Sequence, residues 1–116
     1  MTIVAIPYWD GRISPVFDVS ATGLIVTISE GREQNREQVI FCGEELQTRV
    51  RRLVETRAAI LICGGISRPL EMAVRAAGIE VISQVCGEVE AVLTAFIGGY
   101  LNQDAFRMPG CTGGRR

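Results

Sequence analysis

The sequence contains neither histidine nor lysine, and all twelve of its basic residues are arginines. Because histidine is the commonest metal ligand and the usual general base, its absence excludes Ser-His catalysis, Cys-His catalysis and histidine-metal chemistry by this chain alone. No C-x-x-C pair is present either, since successive cysteines are 21, 23 and 25 residues apart. This spacing excludes a zinc knuckle and a thioredoxin-type motif.

Targeting and membrane-spanning segments are also missing from the pattern. No apolar run approaches the ~20 residues that a membrane span needs. The first residues are apolar, but they carry no basic region and stop at Pro7, which predicts a strand rather than a signal peptide. We therefore expect a cytoplasmic protein with reduced thiols. The formal net charge of −1 gives no attraction to nucleic acid or to anionic membranes, so neither is an expected partner.

The composition is that of one small globular domain. Hydrophobic residues make up 47% and charged residues 22% of the 116 residues, which is typical of a folded chain that buries a single core. We predict a domain over residues 1–101. A flexible Gly/Arg tail containing Cys111 is predicted over residues 102–116.

Short apolar runs and helical spacings predict a mixed α/β fold. Strands are expected at residues 3–6, 24–28, 38–41, 58–63 and 79–83, and helices at residues 44–57, 67–77 and 88–96. The order β-β-β-α-β-α-β-α predicts an antiparallel meander followed by two right-handed helical crossovers. The result is a mixed five-stranded sheet covered by helices. Residues 8–21 are rich in Gly, Pro, Ser and Asp and predict a long ordered loop.

This topology brings one set of loops together. The first, third, fourth and fifth strands point the same way, so their carboxyl ends share one edge of the sheet, where open α/β sheets tend to bind ligands. We expect the loop of residues 8–21, Cys42, the turn after Cys63 and residues 83–87 to meet there.

The turn formed by Gly64, Gly65 and Ser67 is a candidate anion site. Glycines allow close approach of a ligand, and the following helix would present unpaired N–H groups and a partial positive charge. Arg68 follows in that helix, and Arg12 lies in the opposing loop. A tight strand-to-helix turn without a ligand explains the two glycines equally well.

Asp10 and Asp18 could suggest a carboxylate pair for catalysis or for a hard metal. They are eight residues apart in a loop rich in Gly and Pro. Aspartates in such loops usually serve as turn and capping residues, and this is the role we predict for both.

The four cysteines are candidate ligands for a soft metal or an iron–sulfur cluster, because thiolates bind such groups and nearby arginines favour the thiolate. The alternative is that each cysteine is a buried apolar side chain. Cys63 ends an apolar strand and fits that alternative best, whereas Cys111 lies among glycines and arginines and is the cysteine most expected to be exposed.

An ordered set of segments resembles the dinitrogenase iron-molybdenum cofactor biosynthesis family. The resemblance covers almost the whole chain and is carried by five segments. These are IVAIP from Ile3, GRISPVFD from Gly11, AILICGGIS from Ala59, AAGIEV from Ala76 and MPGC from Met108.

The resemblance implies a ribonuclease H-like three-layer fold and binding, storage or delivery of an iron–molybdenum or related iron–sulfur cluster without enzymatic turnover. It also implies metallocofactor assembly or acceptor proteins as partners, and it leaves a homodimer open. Many relatives have a histidine where this chain has Val16, so cysteines, backbone N–H groups and arginines must hold a cluster here, unless the partner supplies ligands. The expected metal ligands are Cys42, Cys63, Cys86 and Cys111, and the expected cluster contacts are Arg12, Ser14, Gly64, Gly65, Ser67 and Arg68.

Two other functions remain as alternatives. In one, Cys111 forms a reversible disulfide with a cysteine of the sheet edge, and the protein is a thiol-based redox or regulatory module. In the other, the fold is an interaction module without a ligand. A metal-dependent nuclease is rejected, because the first strand contains no carboxylate and the chain has no basic surface for nucleic acid.

Overall fold

The computed structural model describes residues 1–41, 45–99 and 101. Cys42 and the predicted tail of residues 102–116 therefore lie outside the described part of the chain. The helices and strands are β1 (Thr2–Trp9), β2 (Arg12–Ile13), β3 (Thr22–Ser29), β4 (Arg32–Ile40), α1 (Leu46–Glu55), β5 (Ile60–Ile62), α2 (Arg68–Ala76), β6 (Glu80–Ile82) and α3 (Val89–Gly98), with a 3-10 turn at Phe17–Val19.

The sheet has the strand order β4-β3-β1-β5-β6, with β2 paired to the end of β1. β1, β3 and β4 form the predicted antiparallel meander, and β5 and β6 add in parallel through α1 and α2. The prediction of a mixed α/β sheet is thus confirmed. β2 is an addition, because two residues of the predicted loop pair with Tyr8 and Trp9 across a tight turn.

β4 is longer than predicted, and the reason is its place in the sheet. It starts at Arg32 rather than Gln38 and exposes most of its side chains. A strand at the edge of a sheet can be polar on both faces, because charged side chains there prevent pairing with other chains. The hydrophobic residues of β4 lie only at its end, so the sequence pattern predicted a strand only for those last residues.

Two hydrophobic cores, one on each face of the sheet, give three layers. Alternation along β1 sends Val4 and Ile6 to the face covered by α3, and Ala5 to the face covered by α1 and α2. Leu53 of α1 and Val74 of α2 are fully buried on that second face. The three-layer arrangement expected from the resemblance is confirmed.

The helix boundaries follow from local sequence signals. Ser67 is the N-cap of α2 and Pro69 lies in its first turn, as predicted. Gly99, with a φ of 82°, ends α3 in the left-handed conformation that glycine adopts without strain. Within the described residues, no helix has the length and apolar character needed to cross a membrane.

Candidate functional site

The predicted meeting of loops at the carboxyl edge of the sheet is present and is made largely by backbone hydrogen bonds. The loop between β2 and β3 runs across the ends of β5 and β6. The bonds are Gly65 N–H to Pro15 O (2.6 Å), Phe17 N–H to Gly65 O (2.8 Å), Ile13 N–H to Gly87 O (2.9 Å), Val89 N–H to Gly11 O (2.9 Å) and Gln84 N–H to Gly64 O (2.9 Å). Because backbone groups make these contacts, the edge is a continuous framework rather than a set of independent loops.

Gly64 and Gly65 allow another group to approach their backbone closely, but that group is the backbone of the chain's own first loop. A Cβ atom on Gly64 would lie 2.6 Å from the carbonyl oxygen of Ser14 and 2.7 Å from that of Pro15. A Cβ atom on Gly65 would lie 3.1 Å from the same carbonyl oxygen of Pro15. The first loop fills the space beside the α-carbons of these two glycines, and their contact with a ligand stays a prediction.

The amino terminus of α2 is likewise occupied by the chain's own anion. Asp18 accepts hydrogen bonds from the Ser67 N–H (2.8 Å) and the Ser67 hydroxyl (2.5 Å). A carboxylate at this position neutralises an unpaired N–H group and the positive end of the helix dipole. The capping role predicted for Asp18 is confirmed, and Ser67 as a cluster contact stays a prediction, although both of its donors are used by Asp18.

Asp10 and Asp18 do not act as a carboxylate pair, because Asp18 caps α2 and Asp10 lies in the turn between β1 and β2. Asp10 and Gly11 have φ values of 54° and 78° and connect β1 to β2. Two successive residues with positive φ form the hairpin turn that matches the twist of antiparallel strands. The turn role predicted for Asp10 is confirmed.

Ser14 is also part of the framework. Its side chain is buried, and its hydroxyl is hydrogen-bonded to the hydroxyl of Ser20 at 3.1 Å. Ser20 in turn donates to the carbonyl of Thr22 at 2.9 Å. This chain of bonds lies inside the loop and gives Ser14 a structural role, while its contact with a cluster stays a prediction.

Cys63 is fully buried between the sheet and the helices α1 and α2. Burial, with smaller contributions from Glu71 and Asp18, raises the pKa of its thiol from 9.0 to about 12. Because metals bind the thiolate, a neutral and enclosed thiol is a poor ligand. The burial of Cys63 fits the packing alternative, and its role as a ligand stays a prediction.

Three predicted site residues stay accessible at the edge: Cys86 is partly exposed, and Arg12 and Arg68 are exposed. Cys86 precedes Gly87 in the chain, and Arg12 precedes Ile13. The Ile13 N–H donates a backbone hydrogen bond to the Gly87 carbonyl, which brings the two segments together. The described residues contain no group of three or more Cys, Asp or Glu side chains that could enclose a metal ion. Cys42 and Cys111 lie outside those residues, and their roles stay predictions.

An exposed apolar surface adjoins this set of residues. Trp9 is 72% exposed, Val19 is 67% exposed and Val16 is 41% exposed. With Pro15 and Ala21 they line a shallow cavity of about 350 Å3 above the Ser14–Ser20 pair. Exposed apolar side chains of this size, grouped together, mark a binding surface more often than isolated ones do. We refer to Trp9, Pro15, Val16, Val19 and Ala21 as the Trp9 surface.

Arg49 supports the loop from behind, and the sequence analysis did not identify it. It is buried on α1, and its Nη1 donates to the carbonyl oxygens of Phe17 (3.1 Å) and Ser20 (2.7 Å). Its guanidinium lies 5.7 Å from the ring centre of Phe17 and 5.9 Å from that of Phe41, within cation–π distance. One signal could have found it, since Arg49 lies four residues before Leu53 on the inward face of α1.

Comparisons with known proteins agree with this architecture. The family model described as dinitrogenase iron-molybdenum cofactor matches residues 1–99. No curated protein sequence gives a significant match.

Solved structures of similar proteins share the fold over nearly their whole length. PH0822, known from a crystal structure, is 31% identical in sequence to this chain. The match covers 89% of this chain and 95% of the PH0822 chain, with a TM-score of 0.83. The apo form of the orange protein from Desulfovibrio gigas is 22% identical, covers 92% and 96%, and has a TM-score of 0.74. The MJ0327 protein of Methanocaldococcus jannaschii is 21% identical, covers 90% and 95%, and has a TM-score of 0.72.

Proposed function

Because the chain belongs to the dinitrogenase iron-molybdenum cofactor family, we propose that it binds an iron–molybdenum or related iron–sulfur cluster as cargo. In this proposal it stores the cluster or delivers it, without turnover, to a protein of metallocofactor assembly. The observation that supports the proposal is that Cys86, Arg12 and the Trp9 surface lie along one edge of the sheet, connected by the backbone bond from Ile13 to Gly87 and by the pairing of Trp9 with Arg12.

The chemistry of these groups suits a cluster that arrives with its inorganic sulfides already in place. The described residues supply one accessible thiol, which can give a single thiolate ligand to a soft metal. Arg12, which is exposed on the same edge of the sheet, offers hydrogen bonds to anionic sulfides. Asp10 lies two residues before Arg12, and Glu88 is paired with Arg12 through an isolated β-bridge. These acidic neighbours confine the positive potential of Arg12 to its immediate surroundings.

The Trp9 surface contributes the apolar contact. Sulfide faces of clusters are soft and weakly hydrated, and an apolar surround limits water access and tunes a metal site. Trp9 is the only tryptophan of the chain, so its fluorescence reports directly on occupation of this surface. Cys42 and Cys111 are further candidate ligands on sequence grounds alone.

Anaerobic reconstitution with ferrous iron, sulfide and molybdate tests the proposal. We expect bound metal, visible absorption and quenching of Trp9 fluorescence in the parent protein. The Cys86→Ala variant should bind the cluster at least about tenfold more weakly, and Arg12→Gln should weaken it by a smaller factor. Arg32→Gln, which changes an exposed arginine at the start of β4, at the opposite end of the sheet, is the matched control and should bind normally.

Two results would contradict the proposal. Metal-free protein that forms a reversible disulfide on mild oxidation would favour the redox alternative. Metal binding that is the same in the parent and in Cys86→Ala would move the site away from this edge.

A further inference from the structure

Three exposed side chains lie in a row at the tip of the hairpin formed by β1 and β2. Trp9 is paired with Arg12 inside the hairpin, and Arg12 is bridged on its other side to Glu88. Residues directly opposite each other on antiparallel strands share a face of the sheet, with their Cβ atoms about 5 Å apart. An indole ring, a guanidinium and a carboxylate therefore follow one another across one face, and all three residues are exposed.

The indole and the guanidinium of this row are not used inside the described part of the chain. Ion pairs and cation–π contacts are made there by four other arginines, Arg36, Arg49, Arg52 and Arg75. Trp9 is 72% exposed, although it belongs to the apolar Trp9 surface. A contact from outside the chain would remove this apolar area from water and give the charge of Arg12 a partner.

The row is complementary to itself. A two-fold axis between Trp9 and Arg12 would set Trp9 of each copy against Arg12 of the other. Tryptophan is the aromatic side chain that attracts a cation over its ring most strongly, so both contacts are favourable. The same operation brings the Trp9 surfaces of the two copies together. An interface of this kind uses one patch on both copies and closes at two copies, without growing into a longer chain.

We propose that the metal-free protein forms a two-fold dimer through the Trp9 surface. Each Trp9 ring packs against Arg12 of the other copy and into the shallow cavity of about 350 Å3 that the other copy's Trp9 surface lines. The Trp9 surface has five residues, whereas a standard interface has about 20–30 on each side. The dimer is therefore weak and reversible, and it forms at high protein concentration.

The dimer has a consequence for the proposed function, which assigns the Trp9 surface to the cluster. One surface cannot hold a cluster and a second copy at the same time. A bound cluster should therefore exclude the second copy, and loading should convert dimers into monomers. This consequence rests on the proposed function, whereas the dimer of the metal-free protein is independent of it.

Sedimentation velocity of the metal-free full chain tests the dimer, with a reductant present so that no disulfide joins two copies. We expect the average mass to approach that of two copies as the protein concentration rises to about 1 mM. Trp9→Ser should weaken the association about tenfold or more, and Arg12→Gln should weaken it by a smaller factor. Met72→Ser, which changes an apolar side chain that is 60% exposed on α2, is the matched control and should associate like the parent.

Three results would overturn the dimer. The first is a parent protein that stays monomeric at about 1 mM. The second is equal association of the parent and Trp9→Ser, which would place the interface elsewhere. The third is a mass that keeps growing beyond two copies, because a two-fold contact closes.

The same measurement on anaerobically reconstituted protein tests the competition. Loading with a cluster should lower the fraction of dimer at a fixed protein concentration. A loaded protein that remains as dimeric as the metal-free protein would contradict the competition for the Trp9 surface. Dimers in a protein that binds no metal would leave the dimer intact and reject the proposed function.

Discussion

Burial distinguishes the two cysteines of the described residues. Cys63 is fully enclosed, and burial raises the pKa of its thiol to about 12, whereas Cys86 is partly exposed. We therefore expect N-ethylmaleimide at pH 8 to modify Cys86 in the native protein and to spare Cys63. Peptide mass spectrometry with and without urea measures this, since Cys63 should react only on unfolding. Modification of Cys63 at the rate of Cys86 in native conditions would contradict the enclosed site.

Arg49 holds the first loop through hydrogen bonds to the carbonyl oxygens of Phe17 and Ser20. Replacing it with methionine removes two hydrogen bonds and leaves the carbonyls of Phe17 and Ser20 without that donor. We expect Arg49→Met to lower the free energy of unfolding by about 2 kcal/mol. Urea denaturation measures the change, and Arg51→Met, at an exposed position of the same helix, should alter it by less than about 0.5 kcal/mol. Equal effects of the two variants would show that Arg49 does not support the loop.

At the scale of elements, the edge strand β4 is tied to α3 by charge. Arg36 of β4 pairs with Glu33 at 2.7 Å and with Glu90 of α3 at 2.5 Å. The hydrogen bonds to Arg36 hold the pKa of both carboxyl groups below the ordinary value of 4.5. A carboxyl group with a lowered pKa in the folded state stabilises the protein above its unfolded pKa and loses that effect as the pH falls through its folded pKa.

Arg36→Gln therefore gives a pH-dependent prediction. All three side chains are partly exposed to solvent, so the variant should be less stable than the parent by no more than about 1 kcal/mol at neutral pH. The difference should shrink as the pH falls below 4.5 and should also shrink in high salt. Urea denaturation over that pH range checks this, with Arg32→Gln as the control. A difference that stays constant with pH would mean that the ion pairs are not its source.

At the scale of the whole molecule, different parts of the fold contribute differently to the candidate site. The sheet and its two cores hold the carboxyl edge in place, and the first loop fills the space over Gly64 and Gly65. What is left for a ligand is the rim of that edge, formed by Cys86, Arg12, Arg68 and the Trp9 surface. The proposed release of a cluster is compatible with this arrangement, because contacts at a rim can be broken without unfolding the core.

The sequence by itself determined the order of the elements along the chain, the directions of the strands and the edge where the loops meet, whereas the order of the strands across the sheet came from the structure. Apolar runs, turn residues and crossover lengths are local signals, and they were enough to predict that edge. The absence of histidine also excluded several chemistries without any structure. The missed features, β2 and the polar length of β4, are stabilised by pairing with neighbouring strands rather than by their own hydrophobic pattern.

Only the tertiary structure decided which polar groups of the edge stay available. Ser67 is taken by Asp18, which is 49 residues away in the chain, and Gly64 is covered by the carbonyls of Ser14 and Pro15. Hydrogen bonds between distant segments depend on how the loops pack, and no local pattern encodes them. The same packing enclosed Cys63 and left Cys86 at the surface, although both cysteines follow apolar strands.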